Sequence, residues 1–320
     1  MSSRDRVPNS QVPVTALRQI TWLGMILNLV LVAIKATAGF FAHSQVLIAD
    51  AVHSLSDLST DVAILVGSRF WTRPADADHP YGHAKLETVV TVFIGLVLIV
   101  VAYELIINAL HGIYLLIEGE ERRLPGLPAL IAAVISIVSK EWLFRRTIEI
   151  GRRYRSTAIL ANAYHHRSDA ISSIPAALAV GICLIFGAKY SFLDPVGTIL
   201  VSCLIFYSAV KIIHPALGTL MDRGMSAEEV ETLKVCVRKN NPQIIGLHKL
   251  RTRPLGGESM SVDLHIEVDP LMPVRDAHYL SHKIANDIKA RFPNVLDVFC
   301  HIEPVSEQEP DRNKNSAEEG

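Results

Sequence analysis

The chain has 320 residues, half of them hydrophobic and a fifth charged, with a mean hydropathy of +0.30. Soluble domains seldom carry so much apolar surface, so membrane spans come first among the readings. The formal net charge is -1 and no basic tract occurs, which excludes a nucleic-acid binder held by charge.

Residues 1–18 are polar, carry three arginines and read as a cytoplasmic N-terminal segment. The apolar run that follows is too long for a signal-peptide core and lacks a clear cleavage site, so it reads as a retained first span. A bilayer core needs roughly 20 apolar residues per helix. Six stretches qualify: Gln19–Phe41, Gln45–Phe70, Thr88–Ile117, Leu127–Phe144, Thr157–Gly187 and Phe192–His214. The second and fifth are the most polar. Breaks at His43, Pro74, Pro125 to Pro128 and Asp194-Pro195 separate them.

Lysine and arginine in the short loops set the orientation. One side collects Arg4, Arg6, Arg18, Arg69, Arg73, Lys85, the arginines from Arg145 to Arg155, and Arg223. The other has only Arg122, Arg123 and Lys189. Both termini are therefore expected on the cytoplasmic side of the cell membrane, the inner one where a cell has two.

After a transmembrane domain at 19–216, residues 217–306 have the composition of a small cytoplasmic domain. Ser226 and Glu229 form a capping-box signature for a helix to about Lys239. A strand near Ile245–Arg253, a Gly256-Gly257 turn and a strand near Ser259–Val268 follow. Alternation in the second strand is the β period of two. A helix at Val274–Phe292 and a strand at Leu296–Ile302 complete an αββαβ order. The fold class is thus an α-helical membrane protein of six transmembrane helices followed by a cytoplasmic α+β domain, with helices on one sheet face. Residues 307–320 are polar and read as a disordered tail.

The second span contains His53-Ser-Leu-Ser-Asp57 and the fifth contains His165-His-Arg-Ser-Asp169. Residues four apart share one helix face. Two such faces turned together supply two imidazole nitrogens and two carboxylate oxygens, the tetrahedral set that zinc prefers. Ionisable groups inside a bilayer are costly and read as functional by default. The bland alternative is a set of interhelical hydrogen bonds. His166 competes with His165, which the spacing favours. Asp61 reads as a pathway carboxylate or a bundle contact, and Lys35 and Glu104 as packing or snorkelling residues.

Two further clusters offer ligands. Asp76, His79 and His83 lie in the loop after the second span. His248, His265, His278 and His301, with Glu303, are spread over the three domain strands and the second domain helix, and could converge at one edge. Cys183, Cys203, Cys236 and Cys300 form no C-x-x-C pair, so neither a disulfide framework nor a thiolate zinc site is expected.

At these residues the chain resembles the cation diffusion facilitators. Ile48-Ala-Asp-Ala-Val-His-Ser-Leu-Ser-Asp57 resembles the family's second helix, and His165 to Asp169 its fifth. Pro74 to Lys85 is similar to its loop between the second and third helices. Leu220-Met-Asp-Arg223 and His248 to Arg253 resemble its linker and first domain strand. The resemblance implies a homodimer in the lipid bilayer, a metallochaperone-like cytoplasmic domain, and exchange of cytosolic zinc for protons. It assigns His53, Asp57, His165 and Asp169 to the transport site, and Asp76, His79 and His83 to a loop site. His248, His265, His278 and His301 fall to a binuclear domain site shared across the dimer. Glu303 stands where some members have Asp. Lys85 and Asp222 match a salt bridge near the dimer interface.

Some bacterial members have Asp at the place of His53, and the His form resembles members that favour zinc over cadmium. Members linked to magnetosomes and iron share parts of the Asn162-to-Ser173 segment. The cargo expected first is therefore Zn2+, with Fe2+, Co2+, Cd2+ or Mn2+ as alternatives. A membrane metal sensor or scaffold is a rival class. An intramembrane metallohydrolase is another, but no H-E-x-x-H motif supplies its general base, so no enzyme is expected.

Overall fold

The structure, a computed structural model, describes residues 14–120, 123–153, 157–257 and 259–305. The N-terminal segment through Pro13, Arg122 and the tail lie outside the described residues, as does the side chain of Asp61. The chain divides into two compact units. One holds the residues up to Val66 with Thr91–Ile213, and the other holds Gly67–Val90 with the chain from His214 onward.

The first unit is helical. Its elements are α1 (Val14–Phe41), α2 (Gln45–Trp71), α3 (Lys85–Ile117), α4 (Leu127–Arg153), α5 (Thr157–Ser172), α6 (Ile174–Phe186) and α7 (Leu193–Leu220), with α2, α3 and α7 running on into the second unit. Five spans are long and apolar enough to cross a membrane among the described residues, including one over Asn162–Phe186. The second helix, α2, is 27 residues long. At a rise of about 1.5 Å per residue it has the length to span, but Asp50, His53 and Asp57 lower its hydropathy.

The expected fifth span is two helices. Pro175 stands at the start of α6, where it has no amide to donate to the preceding turn. The chain therefore breaks at Ser173, whose hydroxyl donates to the Asp169 carbonyl at 3.3 Å. Its neighbour α4 runs nine residues past the expected Phe144, to Arg153.

Burial in this unit is inverted relative to a soluble protein. The core is rich in alanine, with Ala49, Ala102, Ala129, Ala133, Ala176 and Ala209 where helices meet. Phe93, Tyr103, Ile117 and Ile185 face outward. Small residues let helix backbones approach closely, which is how helices pack where lipid is the solvent.

The second unit contains α8 (Ala227–Asn240), β1 (Gly246–Gly256), β2 (Ser259–Val268), α9 (Val274–Arg291) and β3 (Val295–Pro304). The capping box forms: the Ser226 hydroxyl accepts the Glu229 amide, and the Glu229 carboxylate accepts the Ser226 amide. The sheet order is β1-β2-β3, with β1 antiparallel and β3 parallel to β2. Leu264, Ile266 and Val268 of β2 alternate into a core closed by Leu233 and Val237 of α8 and Leu280, Ile284 and Ile288 of α9. The alternate residues, His265 and Glu267 among them, lie on the other face of the sheet.

Candidate metal centres

The first centre lies between α2 and α5. Asp57, His165 and Asp169 offer ligand atoms that all lie within 4.8 Å of one another. Helical spacing places His165 Nδ1 3.8 Å from Asp169 Oδ1. Asp169 is buried, while His165 is about half exposed. His53 stands one turn before Asp57 on α2, outside that group of three. It is buried, and its Nδ1 has no hydrogen-bond partner among the described residues. Orphaned buried nitrogens are costly and uncommon. Both ring nitrogens of His166 are likewise without a partner among the described residues.

His166 is also buried, but it points elsewhere. Its Nε2 lies 3.3 Å from where a Cβ on Gly24 of α1 would stand. The residue in the group is His165, the one the four-residue spacing favours.

Two buried lysines surround this centre. The Lys35 ammonium lies 2.8 Å from Asp50 Oδ2 and donates to the hydroxyls of Ser54 and Ser173, each at 3.0 Å. Ser173 in turn donates to Asp50 Oδ1 at 2.9 Å. Of the two expectations for Lys35, packing and snorkelling, the structure shows packing, because both partners are wholly buried. The second lysine, Lys140 of α4, donates to Asp169 Oδ2 at 3.1 Å and was not singled out from the sequence. A charge inside an apolar span is the signal that marks it.

The second centre is the loop cluster in the other unit. Asp76, His79 and His83 again bring ligand atoms within 4.8 Å. The loop is an Asx-type turn in which Asp76 Oδ1 accepts the amides of Asp78 and His79 at 3.1 and 2.7 Å. The His79 amide, first among its surroundings, holds the Asp76 carboxyl below the usual range. The two imidazoles face each other with ring centroids 4.3 Å apart.

The third centre is built by strand register. His248 pairs with His265, and His265 pairs with His301, so the three imidazoles form one row across the sheet. Glu303, two residues beyond His301, receives all of them: His265 Nδ1 at 2.6 Å, His248 Nε2 at 3.1 Å and His301 Nε2 at 3.4 Å. The hydrogen bond from His265 holds the Glu303 carboxyl below its ordinary value. His248, His265 and Glu303 form the compact ligand group. His278 does not join it. It lies on α9 beside His282, ring centroids 4.4 Å apart. His282 and Glu267, which is 3.4 Å from His248 Nδ1, were missed from sequence. The spacing of four between His278 and His282 was the available signal.

Thiols take no part. All four cysteines are free, and burial pushes Cys300, next to His301, up to about 11. In the same unit Lys85 donates to Asp222 at 2.8 Å, and that bond is the main reason the Asp222 carboxyl sits below its usual range.

Comparison with known proteins identifies both domains. The family described as the cation efflux transmembrane domain matches residues 21–221, and the cation efflux protein cytoplasmic domain matches 225–305. The manganese efflux system protein MneP of Bacillus subtilis is 30% identical over 295 residues, which cover 91% of this chain and 97% of that protein. Metal tolerance protein C1 of Arabidopsis thaliana is 33% identical, over 88% of this chain and 61% of its own length. Magnetosome protein MamB of Magnetospirillum gryphiswaldense is 25% identical, over 90% and 94%. Among solved structures, the metal-bound C-terminal domain of the CzcD transporter from Thermotoga maritima is 31% identical, covering 27% of this chain and all of that one, with a TM-score of 0.24.

Proposed function

The chain belongs to the cation diffusion facilitator family of metal cation efflux transporters, and from that premise we propose that it exports divalent transition-metal ions, zinc first, from the cytoplasm in exchange for protons. It is a multi-pass membrane transporter, not an enzyme. The observation that carries the proposal is the group Asp57, His165 and Asp169 on the helices of an apolar bundle. His53, with its orphaned Nδ1, supplies the fourth ligand.

Metal ligands must shed protons before they bind. Histidine ordinarily titrates near ~6.5, within the physiological range. A metal entering from the cytoplasm would displace protons from its ligands, and protons arriving from outside would compete with it and help release it. Alternating access about this centre then couples export to the inward proton gradient. Both termini face the cytoplasm in this reading, with the protein in the cell membrane.

Proteoliposomes test it. Zinc flux should rise when the imposed pH gradient favours proton counter-flow and fall when the gradient collapses. Flux indifferent to the gradient removes the coupling. A panel of zinc, iron(II), manganese, cobalt and cadmium, run on the parent and on His53→Asp, identifies the cargo. Zinc preference should weaken in the variant.

A second reading has a specific observation behind it. The compact group holds two carboxylates and one imidazole, and carboxylate-rich sites suit harder ions such as manganese. The same panel decides between manganese and zinc.

The cytoplasmic domain is read as a metal-responsive regulator within a homodimer. Its strand histidines and Glu303 gather ligands at one sheet face. Bound cations would cancel carboxylate charge there and draw two domains together. Inter-protomer distances from spin labels should shorten on zinc addition in the parent and stay constant in His265→Ala. Distances that do not respond in the parent remove the regulatory reading.

A further inference from the structure

Two ammonium groups are buried in the helical unit, and they are served differently. Lys35 rests on Asp50, Ser54 and Ser173, none of which is in the metal-ligand group. Lys140, 1% exposed, rests instead on Asp169, a member of that group. The two oxygens of Asp169 are divided: Oδ2 lies 3.1 Å from the Lys140 ammonium, and Oδ1 lies 3.8 Å from His165 Nδ1. One carboxylate therefore serves a fixed cation on α4 and the ligand group of α2 and α5 together.

The consequence is electrostatic. At the centre two carboxyl groups, on Asp57 and Asp169, face one ammonium. A divalent ion bound to Asp169 would stand close to a buried positive group. Repulsion between like charges is strong in such an interior, because little screens it. A carrier must bind its ion well enough to load and weakly enough to release. An immobile positive charge on one ligand oxygen moves that balance toward release.

We propose that Lys140 is an affinity-setting residue for the transported divalent cation: its charge, held on Asp169 Oδ2, keeps binding weak enough for turnover. This deepens the transport-site reading and rests on it. Lys140 is a positioning residue, since it acts through Asp169.

The test uses the full-length parent, Lys140→Gln and Lys140→Arg, with zinc and manganese as probes, in detergent for binding and in proteoliposomes for flux. Binding at the centre is the part of the isotherm that Asp169→Ala removes. Lys140→Gln should tighten it by about tenfold or more, equivalent to about 1.4 kcal/mol. KM for flux should fall with it, and the maximal rate should fall too. Lys140→Arg, which keeps the charge, should bring both values back toward the parent. A merely structural lysine would lower the rate without tightening binding. Unchanged or weaker binding in folded Lys140→Gln overturns the proposal, as does Lys140→Arg behaving like Lys140→Gln. Should Lys140→Gln fail to fold, Lys140→Met replaces it under the same outcomes. If the parent binds through Asp169 but moves no metal, export fails while the affinity comparison still decides Lys140. If Asp169→Ala removes no binding at all, the transport-site reading falls, and this proposal with it.

Discussion

Asp57→Ala and Asp169→Ala should each abolish metal flux while the protein still inserts and elutes as a folded dimer. Both carboxylates belong to the compact ligand group, one on α2 and one on α5. Loss of a residue that merely orients a ligand costs about 10–100-fold in affinity, so loss of a ligand should cost at least about a hundredfold. Asp169→Ala carries a second penalty, because it strips the buried Lys140 ammonium of its carboxylate. Asp57→Asn and Asp169→Asn, which keep side-chain volume, separate the lost ligand from the lost packing. Flux in reconstituted vesicles is the measurement. A sensor or scaffold would move no metal in the parent either, whereas near-parent flux in the variants would remove Asp57 and Asp169 from the transport site.

Lys35→Met should destabilise the bundle by about 3–5 kcal/mol, because it leaves Asp50 charged and buried without its counter-ion. The remaining Ser173 hydroxyl donates only one hydrogen bond to Asp50 Oδ1. Replacing both partners, Lys35→Met with Asp50→Leu, should recover most of the loss, since buried pairs often exchange for apolar groups at little cost. Thermal unfolding in detergent reads both. A single variant as stable as the parent would mean that the pair is not charged in the folded bundle. The two predictions separate at Asp57 and Lys35: the Asp57 change acts on flux and the Lys35 change on stability, while Asp169→Ala acts on both because it also breaks the buried pair with Lys140.

The sequence made some of this structure legible and hid the rest for identifiable reasons. The cytoplasmic elements follow local rules. Ser226 and Glu229 announce the start of α8, and the period-two alternation of β2 announces its buried and open faces. Helix existence in the membrane unit follows from apolar length, and the four-residue spacing put Asp57, His165 and Asp169 forward as ligands. Local reasoning reads Thr157–Gly187 as one span, and one span does run over Asn162–Phe186; Pro175 divides it into α5 and α6. Lys140 stayed hidden because its role depends on how α4 lies against α5, and no spacing within α4 encodes that register. The same limit explains His278. Its spacing relative to the strand histidines was known, but where α9 places it is a matter of tertiary packing, and it pairs with His282.

The parallel pairing of β2 with β3 couples two properties that would otherwise be independent. His301 and Glu303 share strand β3 with Val298, Cys300 and Ile302, which pack against the core from the opposite face. Side chains alternate with a period of two, so a one-residue slip exchanges the faces completely. A single insertion in the turn between α9 and β3, near Asn294, would turn His301 and Glu303 toward Ile284 and Ile288 and push Ile302 into water. Such an indel could not be absorbed as a loss of metal binding alone. The length of that turn is therefore constrained by the candidate ligands and the hydrophobic core together, and a substitution there is easier to absorb than an insertion.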